Sequence, residues 1–513
     1  MPTFGPYFGI NGGNPVYEAQ VKGDIVSMMQ AGGCVGAILI NFIADPYGRR
    51  IAIFLCSTIF IIGSVVQVVA TNVAAMMAGR FIGGMGVGAC ANVVPVYIAE
   101  ISDKSNRGRM SNLWQFMLVI GIMISYWVDY ACLQHLPVGH IQWKTPLGIQ
   151  IIPGGIMLIG IFFLPESLRW LANRGKLDEM RKTISRLRVL PETHEKVIQE
   201  TEEIIASIEE EREGKATRWV EMRKPSNIRR LIIGIIIGIC QQWTGTNAIN
   251  YYAPEMVRQM GVTGDTVDIL ATGIYGAVKV VVVFIFFFMV DHKFFGRRNS
   301  LLIGSILMFI SFYILGALLM YIEKDQAIAA ENGVEVPVSD KGYAAMVMLF
   351  IFAIGYEISW GPLMYVICAE IFPTRIRAIC MSITMAIYLA MNAVIAKVTP
   401  LMITQLTYGT YFFFGSTVFA MTIFVWLFVP ETRGRSLEDM EPIFSGPLIV
   451  LKNKEALRQG VRENEMKEKR VPQFDSGSSN NGESDEQDKV VEFKENINDS
   501  HGKNDITSQK QQE

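Results

Sequence analysis

The run QQWTGTNAINYY (241–252) places Gln241, Gln242, Asn247, Tyr251 and Tyr252 inside a stretch otherwise apolar enough to cross a bilayer. Amides at that depth are costly without partners. They offer paired donors and acceptors for a polyhydroxylated ligand, and the aromatic rings can cover its apolar face. Hydrogen bonding between helices is the plainer use of the same residues. Gln115, in the apolar stretch 114–133, is a weaker copy of the signal. The segment ISWGPLMY (358–365) adds a helix interrupted by Gly361 and Pro362 and flanked by Trp360 and Tyr365, as expected where backbone lines a cavity. Lys279 sits near the middle of another apolar stretch. A cation there needs water or an anion, which makes it functional by default, with snorkelling or pairing to Glu357 as the structural alternative.

Other chemistries find no footing. The seven cysteines lie in or beside apolar segments without a C-x-x-C pair or a nearby His, and the five histidines show no ligand spacing. No metal, cofactor or nucleophile, base and orienter triplet is expected, and so no enzyme. GGMGVG (83–88) lies inside an apolar segment and follows no strand, so it reads as close helix packing rather than a phosphate loop.

The elements that must position these residues follow from composition. Of 513 residues 18% are charged, below the roughly 25% usual for soluble domains. The stretches 165–230 and 431–513 hold 59 of the 94 charges, which leaves the remainder near one in ten. With a mean hydropathy of +0.30, this describes a membrane protein, and a net charge of −2 argues against nucleic acid as a partner. Eleven apolar windows fall between 25 and 429. Arg49 and Arg50, Lys104 with Arg107 and Arg109, Arg297 and Arg298, and Arg375 and Arg377 all lie on alternate seams, which places those seams, the 165–230 loop and the C-terminal tail in the cytoplasm.

The seams repeat. DPYGRR (45–50) recurs as DHKFFGRR (291–298), AEI (99–101) as AEI (369–371), and PESLRWL (165–171) as PETRGRSLEDM (430–440). Two related halves follow, the layout of a secondary transporter. Two windows precede Asp291 in the second half and one precedes Asp45 in the first, so the expected fold is all-α with two six-helix halves, the first helix missing and about 11 transmembrane helices. The divisions are an extracellular segment (1–23), a first transmembrane half (24–164), a cytoplasmic helical loop (165–230), a second half (231–430) and a cytoplasmic tail (431–513), disordered from about 452. Glu100 and Glu370, seven residues before Arg107 and Arg377, suit inter-helix salt bridges that hold the cytoplasmic side closed, and Asp45 and Asp291 stand beside Arg49 and Arg297 at helix ends.

PVYIAEISDKSNRGR, PESLRWL, QQWTGTNAINYYAP, DHKFFGRR, SWGPLMYVICAEIFPTRIRA and PETRGRSLEDM together resemble the sugar porter family of the major facilitator superfamily, its fungal members above all, over about residues 20–445. The resemblance implies a central substrate site of Gln115, Gln241, Gln242, Asn247 and Asn392. It implies Tyr251 and Tyr252 in an outer gate, and Glu100, Arg107, Glu370 and Arg377 in an inner one. Arg80 matches the arginine that pairs with a first-helix aspartate in proton-coupled members, and that aspartate has no counterpart here. Three positions depart from the hexose pattern: Lys279 and Tyr388 replace asparagines, and Tyr365 replaces a tryptophan. The expected function is transport of a monosaccharide or related polyhydroxylated solute by alternating access, with proton symport in a full-length form that has the first helix, in the plasma membrane. A quinate-like hydroxy acid as solute, or a sugar sensor that binds without transport, stays open.

Overall fold

A computed structural model describes residues 4–10, 14–103, 107–214, 218–261, 267–289, 296–332, 340–373, 376–432 and 444, and its regular structure is helical throughout. The first half contains α1 (Phe4–Tyr7), α2 (Pro15–Leu39), α3 (Asn41–Tyr47), α4 (Arg49–Val69), α5 (Val73–Ile101), α6 (Arg107–His135), α7 (His140–Ile149) and α8 (Ile151–Gly160). Four helices follow outside the apolar windows: α9 (Leu168–Asn173), α10 (Leu177–Arg188), α11 (Glu195–Gly214) and α12 (Arg218–Met222). The second half contains α13 (Pro225–Gln242), α14 (Thr246–Gln259), α15 (Val267–Met289), α16 (Arg297–Asn332), α17 (Asp340–Glu357), α18 (Trp360–Ile371), α19 (Arg377–Leu406) and α20 (Gly409–Phe428). Because α2 with α3, α7 with α8, α13 with α14, and α17 with α18 run on as single crossings, the described residues form 11 candidate membrane spans.

Helix starts follow local chemistry. Asn14 Oδ1 accepts from Val16 N at 3.0 Å with Pro15 in the first turn of α2, and Asn72 Oδ1 accepts from Ala75 N at 2.7 Å at the start of α5. Between α9, α10 and α11 the apolar residues Leu168, Leu171, Met180, Ile184, Val197 and Ile208 form a small core of their own, closed by Arg188 to Glu200 at 2.6 Å. Phe444, the one described residue beyond 432, is buried on α13, where Arg229 Nη1 donates to its carbonyl at 3.1 Å and the Arg230 guanidinium lies 4.9 Å from its ring. The expected disorder from about 452 lies outside the described residues.

The glycine run of α5 is the packing seam of the first half. A Cβ on Gly84 would stand 2.0 Å from Met29 O, and one on Gly88 2.0 Å from Gly33 O, so α2 and α5 meet backbone to backbone. On its other side, a Cβ on Gly86 would fall 2.6 Å from Phe60 N of α4. Lipid supplies no hydrophobic drive between helices, so this proximity is what generates the dispersion contacts that hold them.

The sequence repeat is visible in the packing between halves. Each DxxGRR-type seam follows a helix, α2 or α15, that crosses to the opposite half. Gly23 of α2 lies against Lys397 of α19, and Gly276 of α15 lies against Met123 of α6. Two prolines free carbonyls within these walls, and tyrosines from neighbouring helices take them up. Pro254 has no N–H for Asn250 O, which accepts from Tyr126 OH at 2.9 Å, while Pro400 leaves Ala396 O to Tyr252 OH at 2.8 Å.

Gly88→Val should separate α2 from α5 and cost about 3 kcal/mol or more, because overpacking here meets backbone rather than a side chain that can move. Gly155→Val, where nothing lies within 4 Å of the added Cβ, should stay within about 1 kcal/mol. Thermal unfolding in detergent checks the pair: equal midpoints for the two variants would contradict the seam.

Candidate functional site

The α13–α14 crossing is broken at residues 243–245. Gly245 takes φ +86°, and the rings of Phe312 and Phe414 fill the space its side chain would need. The break turns Gln241 and Gln242, in the last turn of α13, toward the face on which α14 carries Asn247 and Asn250. Gln241 Nε2 donates to Tyr356 OH of α17 at 2.6 Å, and Asn247 Nδ2 donates to Gln242 Oε1. Gln241 Oε1 and Gln242 Nε2 are buried with no hydrogen-bond partner of good geometry. Tyr388 brings its phenol beside both amides and packs edge-on against Tyr365, ring centroids 6.1 Å apart. An acceptor on Gln241 and a donor on Gln242, neighbours in the chain, are thus buried near the Tyr388 phenol, the kinds of group that recognise hydroxyls on a ring.

Lys279 of α15 borders the same cluster. Its side chain is 2% exposed, and Nζ lies 3.0 Å from Glu357 Oε1 at the end of α17, where the carboxylate is fully buried. Nζ also donates to Asn250 Oδ1 at 3.3 Å and stands 5.5 Å and 5.4 Å from the ring centroids of Tyr275 and Tyr356. Gln115 of α6 approaches the Glu357 carboxylate from the opposite half. Of the expected substrate residues, Gln115, Gln241, Gln242, Asn247, Lys279 and Tyr365 therefore gather in one place.

Two do not. Trp360 is fully buried and donates through Nε1 to Ser305 Oγ of α16 at 2.7 Å, because the first turn of α18 faces that helix. Asn392 lies in a second polar group with Tyr251. Gln30 Nε2 of α2 donates to Tyr251 OH at 2.8 Å, Tyr251 OH donates to Asn392 Oδ1 at 3.0 Å, and Asn392 Nδ2 donates to Gln30 Oε1 at 3.1 Å. This closed triangle joins the halves, and beyond it, at the end away from the arginine seams, Lys22 meets Glu255 at 3.7 Å and Lys397 meets Asp24 at 2.7 Å. Tyr252 stays inside the second half, bound to Ala396.

At the arginine end the two halves build the same device twice. Glu166 Oε1 accepts from Arg49 N at 2.9 Å and Glu431 Oε1 from Arg297 N at 2.8 Å, so a carboxylate caps the start of α4 and of α16. Gly48 and Gly296 make room, since a Cβ would come within 2.5 Å and 2.3 Å of those carboxylates. Arg49 pairs with Glu100 at 3.0 Å and Arg297 with Glu370 at 3.2 Å, while Ser167 and Thr432 donate to the same two glutamates. Glu100 and Glu370 are thus held within their own halves by Arg49 and Arg297, where Arg107 and Arg377 were the expected partners. Arg377 instead donates to Phe372 O at 3.2 Å, and the side chain of Arg107 and all of Asp291 lie outside the described residues. Asp45 adds an exposed contact to Arg49 at 3.3 Å. Arg80 donates to Met29 Sδ at 3.5 Å, with Asp129 of α6 the carboxylate whose field reaches it.

Sequence reading did not single out Gln30, Asn250, Tyr275 or Tyr356. Asn250 stands inside the run already marked, Tyr275 is one helical turn before Lys279, and Tyr356 adjoins Glu357, so proximity in sequence to a costly group was the usable signal. A lone Gln30 in α2 carried none.

A sequence profile described as sugar (and other) transporter matches residues 11–444. The chain is 34% identical over 478 residues to a probable quinate permease of Aspergillus flavus, covering 91% of this chain and 87% of that one. It is 32% identical over 458 residues to a quinate permease of Emericella nidulans, covering 87% and 84%. Its fold is similar to that of the major facilitator superfamily proton:xylose symporter XylE bound to 6-bromo-6-deoxy-D-glucose, with TM-score 0.69, 24% identity and coverage of 86% of this chain and 93% of that one. The inward open conformation of XylE from E. coli gives TM-score 0.68 at 24% identity, covering 85% and 92%. With the profile spanning nearly all the described helices and relatives that are transporters rather than enzymes, the chain belongs to the sugar (and other) transporter family and has the major facilitator fold.

Proposed function

We propose that this protein carries a polyhydroxylated cyclic solute across the plasma membrane by alternating access, in symport with protons, with the arginine seams and the C-terminal tail on the cytoplasmic side. The observation that carries the reading is the buried amide cluster between α13, α14, α17 and α19, with unmatched acceptor and donor atoms on Gln241 and Gln242. Hydroxyls of a bound solute satisfy those atoms, and water does so when the solute leaves.

The gates follow from which contacts cross between halves. Gln30, Tyr251 and Asn392 close the path at the outer end, reinforced by Lys22 with Glu255 and Asp24 with Lys397. Release to the cytoplasm keeps these contacts; loading from outside breaks them. The Arg49 to Glu100 and Arg297 to Glu370 pairs brace each half at the inner end, so that the halves move as units about the site.

Two solute classes fit the cluster. A hydroxy acid is supported by Lys279 and by the relatives named quinate permeases. A neutral monosaccharide is supported by the Lys279 to Glu357 pair, which leaves the site without net charge.

In proteoliposomes the full chain should exchange labelled quinate or labelled monosaccharide against the same unlabelled solute. Binding with no counterflow for any solute would make it a sensor and sink the transport reading. Gln241→Ala and Asn247→Ala should each weaken solute binding by about tenfold to a hundredfold, equivalent to about 1 to 3 kcal/mol for a lost buried hydrogen-bond partner. Equilibrium binding on purified variants that keep the wild-type elution profile measures it, and unchanged affinity in both would remove the amides from the site.

A further inference from the structure

The Lys279 to Glu357 pair poses a difficulty for an anionic solute, because the lysine that would hold its carboxylate is already neutralised. The surroundings of the pair resolve it. Glu357 is fully buried, and beside Lys279 it meets the neutral amide of Gln115, so Lys279 is what balances its charge. Lys279 is held differently. Its ammonium also donates to Asn250 Oδ1 and lies over the rings of Tyr275 and Tyr356, so it keeps partners if the carboxylate lets go. The pair is therefore lopsided: the cation has an amide oxygen and two rings besides the carboxylate, and the anion has one neutral amide besides the cation. An ionised carboxylate deprived of its counter-charge at membrane depth is the expensive state, and a proton removes that charge.

Resting on the reading of the amide cluster as the solute site, we infer that Lys279 and Glu357 form a charge-exchange site. The carboxylate of a hydroxy-acid solute replaces Glu357 as counter-ion to Lys279, and Glu357 takes up one proton. The placement serves this exchange. Tyr356, next in the chain to Glu357, accepts from Gln241, so a solute whose hydroxyls engage the amides lies beside Lys279. Entering from outside, the solute anion forms its ion pair with the Lys279 ammonium while a proton from water forms an O–H bond on Glu357. On the inside the anion leaves, the O–H bond breaks to water, and Glu357 pairs with Lys279 again. One negative and one positive charge cross together, and the cycle is electroneutral.

The groups facing Glu357 make it the site of the proton. From α15 these are Lys279 and Tyr275, from its own helix Tyr356, and from α6 the neutral Gln115. Asn250 of α14 is neutral, Tyr365 of α18 and Tyr388 of α19 face Tyr356, and α16 presents Gly304, Leu307 and Met308 to this end of α17. Tyr126 of α6 stands near Lys279.

The test uses the full chain in proteoliposomes with labelled quinate as the acidic probe and glucose as the neutral one. Wild-type quinate affinity should rise as pH falls, approaching tenfold per pH unit for one bound proton, and a pH gradient, acid outside, should drive accumulation that a clamped membrane potential does not alter. Glu357→Gln should bind quinate with less than about twofold variation over the same pH range and lose gradient-driven accumulation, while Glu357→Asp restores both. Lys279→Gln should weaken quinate about a hundredfold or more and lower its affinity relative to glucose by at least about tenfold. The paired variant Lys279→Gln with Glu357→Gln guards against misfolding, and should elute as wild type and bind quinate weakly at every pH. A wild-type pH slope in Glu357→Gln overturns the exchange, as does accumulation that follows the membrane potential. Glucose bound at the amides with no quinate binding also overturns it but leaves the amide site standing, whereas unchanged affinity in Gln241→Ala and Asn247→Ala removes the site itself.

Discussion

Hydrocarbon offers no hydrogen bonds, and most of this structure can be read as a response to that constraint. Where backbone is continuous the helices satisfy themselves. Where Pro254 and Pro400 interrupt the ladder, hydroxyls of Tyr126 and Tyr252 complete it from neighbouring helices. Side-chain polarity follows the same rule: Gln30, Tyr251 and Asn392 each give and receive within a closed triangle. Exceptions occur in both halves among the described residues, Gln67, Trp143 and Ser300 among them. Two more, Gln241 and Gln242, lie together beside the Lys279 to Glu357 pair. On the function proposed above, hydroxyls of a solute complete that cluster.

Rigidity of the halves comes from two unlike sources. In the first half, glycines bring α2, α4 and α5 into backbone contact, which gains dispersion energy at little entropic cost because no long side chain is ordered. At the seams, charge-assisted hydrogen bonds do the bracing, with Glu166 and Glu431 on helix N-termini and Glu100 and Glu370 on arginines. Both arrangements act within a half. Between the halves, close approaches at Gly23 on α19 and Gly276 on α6 are joined by the polar ties of Gln30, Tyr251 and Asn392.

The sequence made the fold legible because its dominant signal, apolar length bounded by basic seams, is the same property that decides insertion into a membrane. The amide cluster was legible for a related reason, since Gln241, Gln242 and Asn247 are conspicuous where polar groups are costly. Direction around a helix was not. Trp360 is adjacent to the chain break yet faces Ser305, and an error of one residue in phase turns a side chain by about 100°. The partners of Glu100 and Glu370 were obscured similarly. Arg377 is near Glu370 in sequence, but Arg297 arrives from a helix brought alongside by the fold, as Arg49 does at Glu100, each after a capped turn at Gly296 or Gly48. Gln30 forms its triangle with residues more than two hundred positions away, a relation no local spacing encodes.

The ties between the halves at the end away from the arginine seams divide into two kinds that respond to different things. Lys22, Glu255, Asp24 and Lys397 have side chains from 31% to 58% exposed, so dissolved ions reach and weaken their attraction. The triangle of Gln30, Tyr251 and Asn392 is uncharged and largely shielded, and neither ionic strength nor transmembrane voltage acts on it appreciably. A saltier bathing medium therefore loosens the rim of this closure and leaves its floor intact. The strength of the closure at this end is thereby a graded function of the ionic strength around it, bounded by a limit that the neutral contacts set.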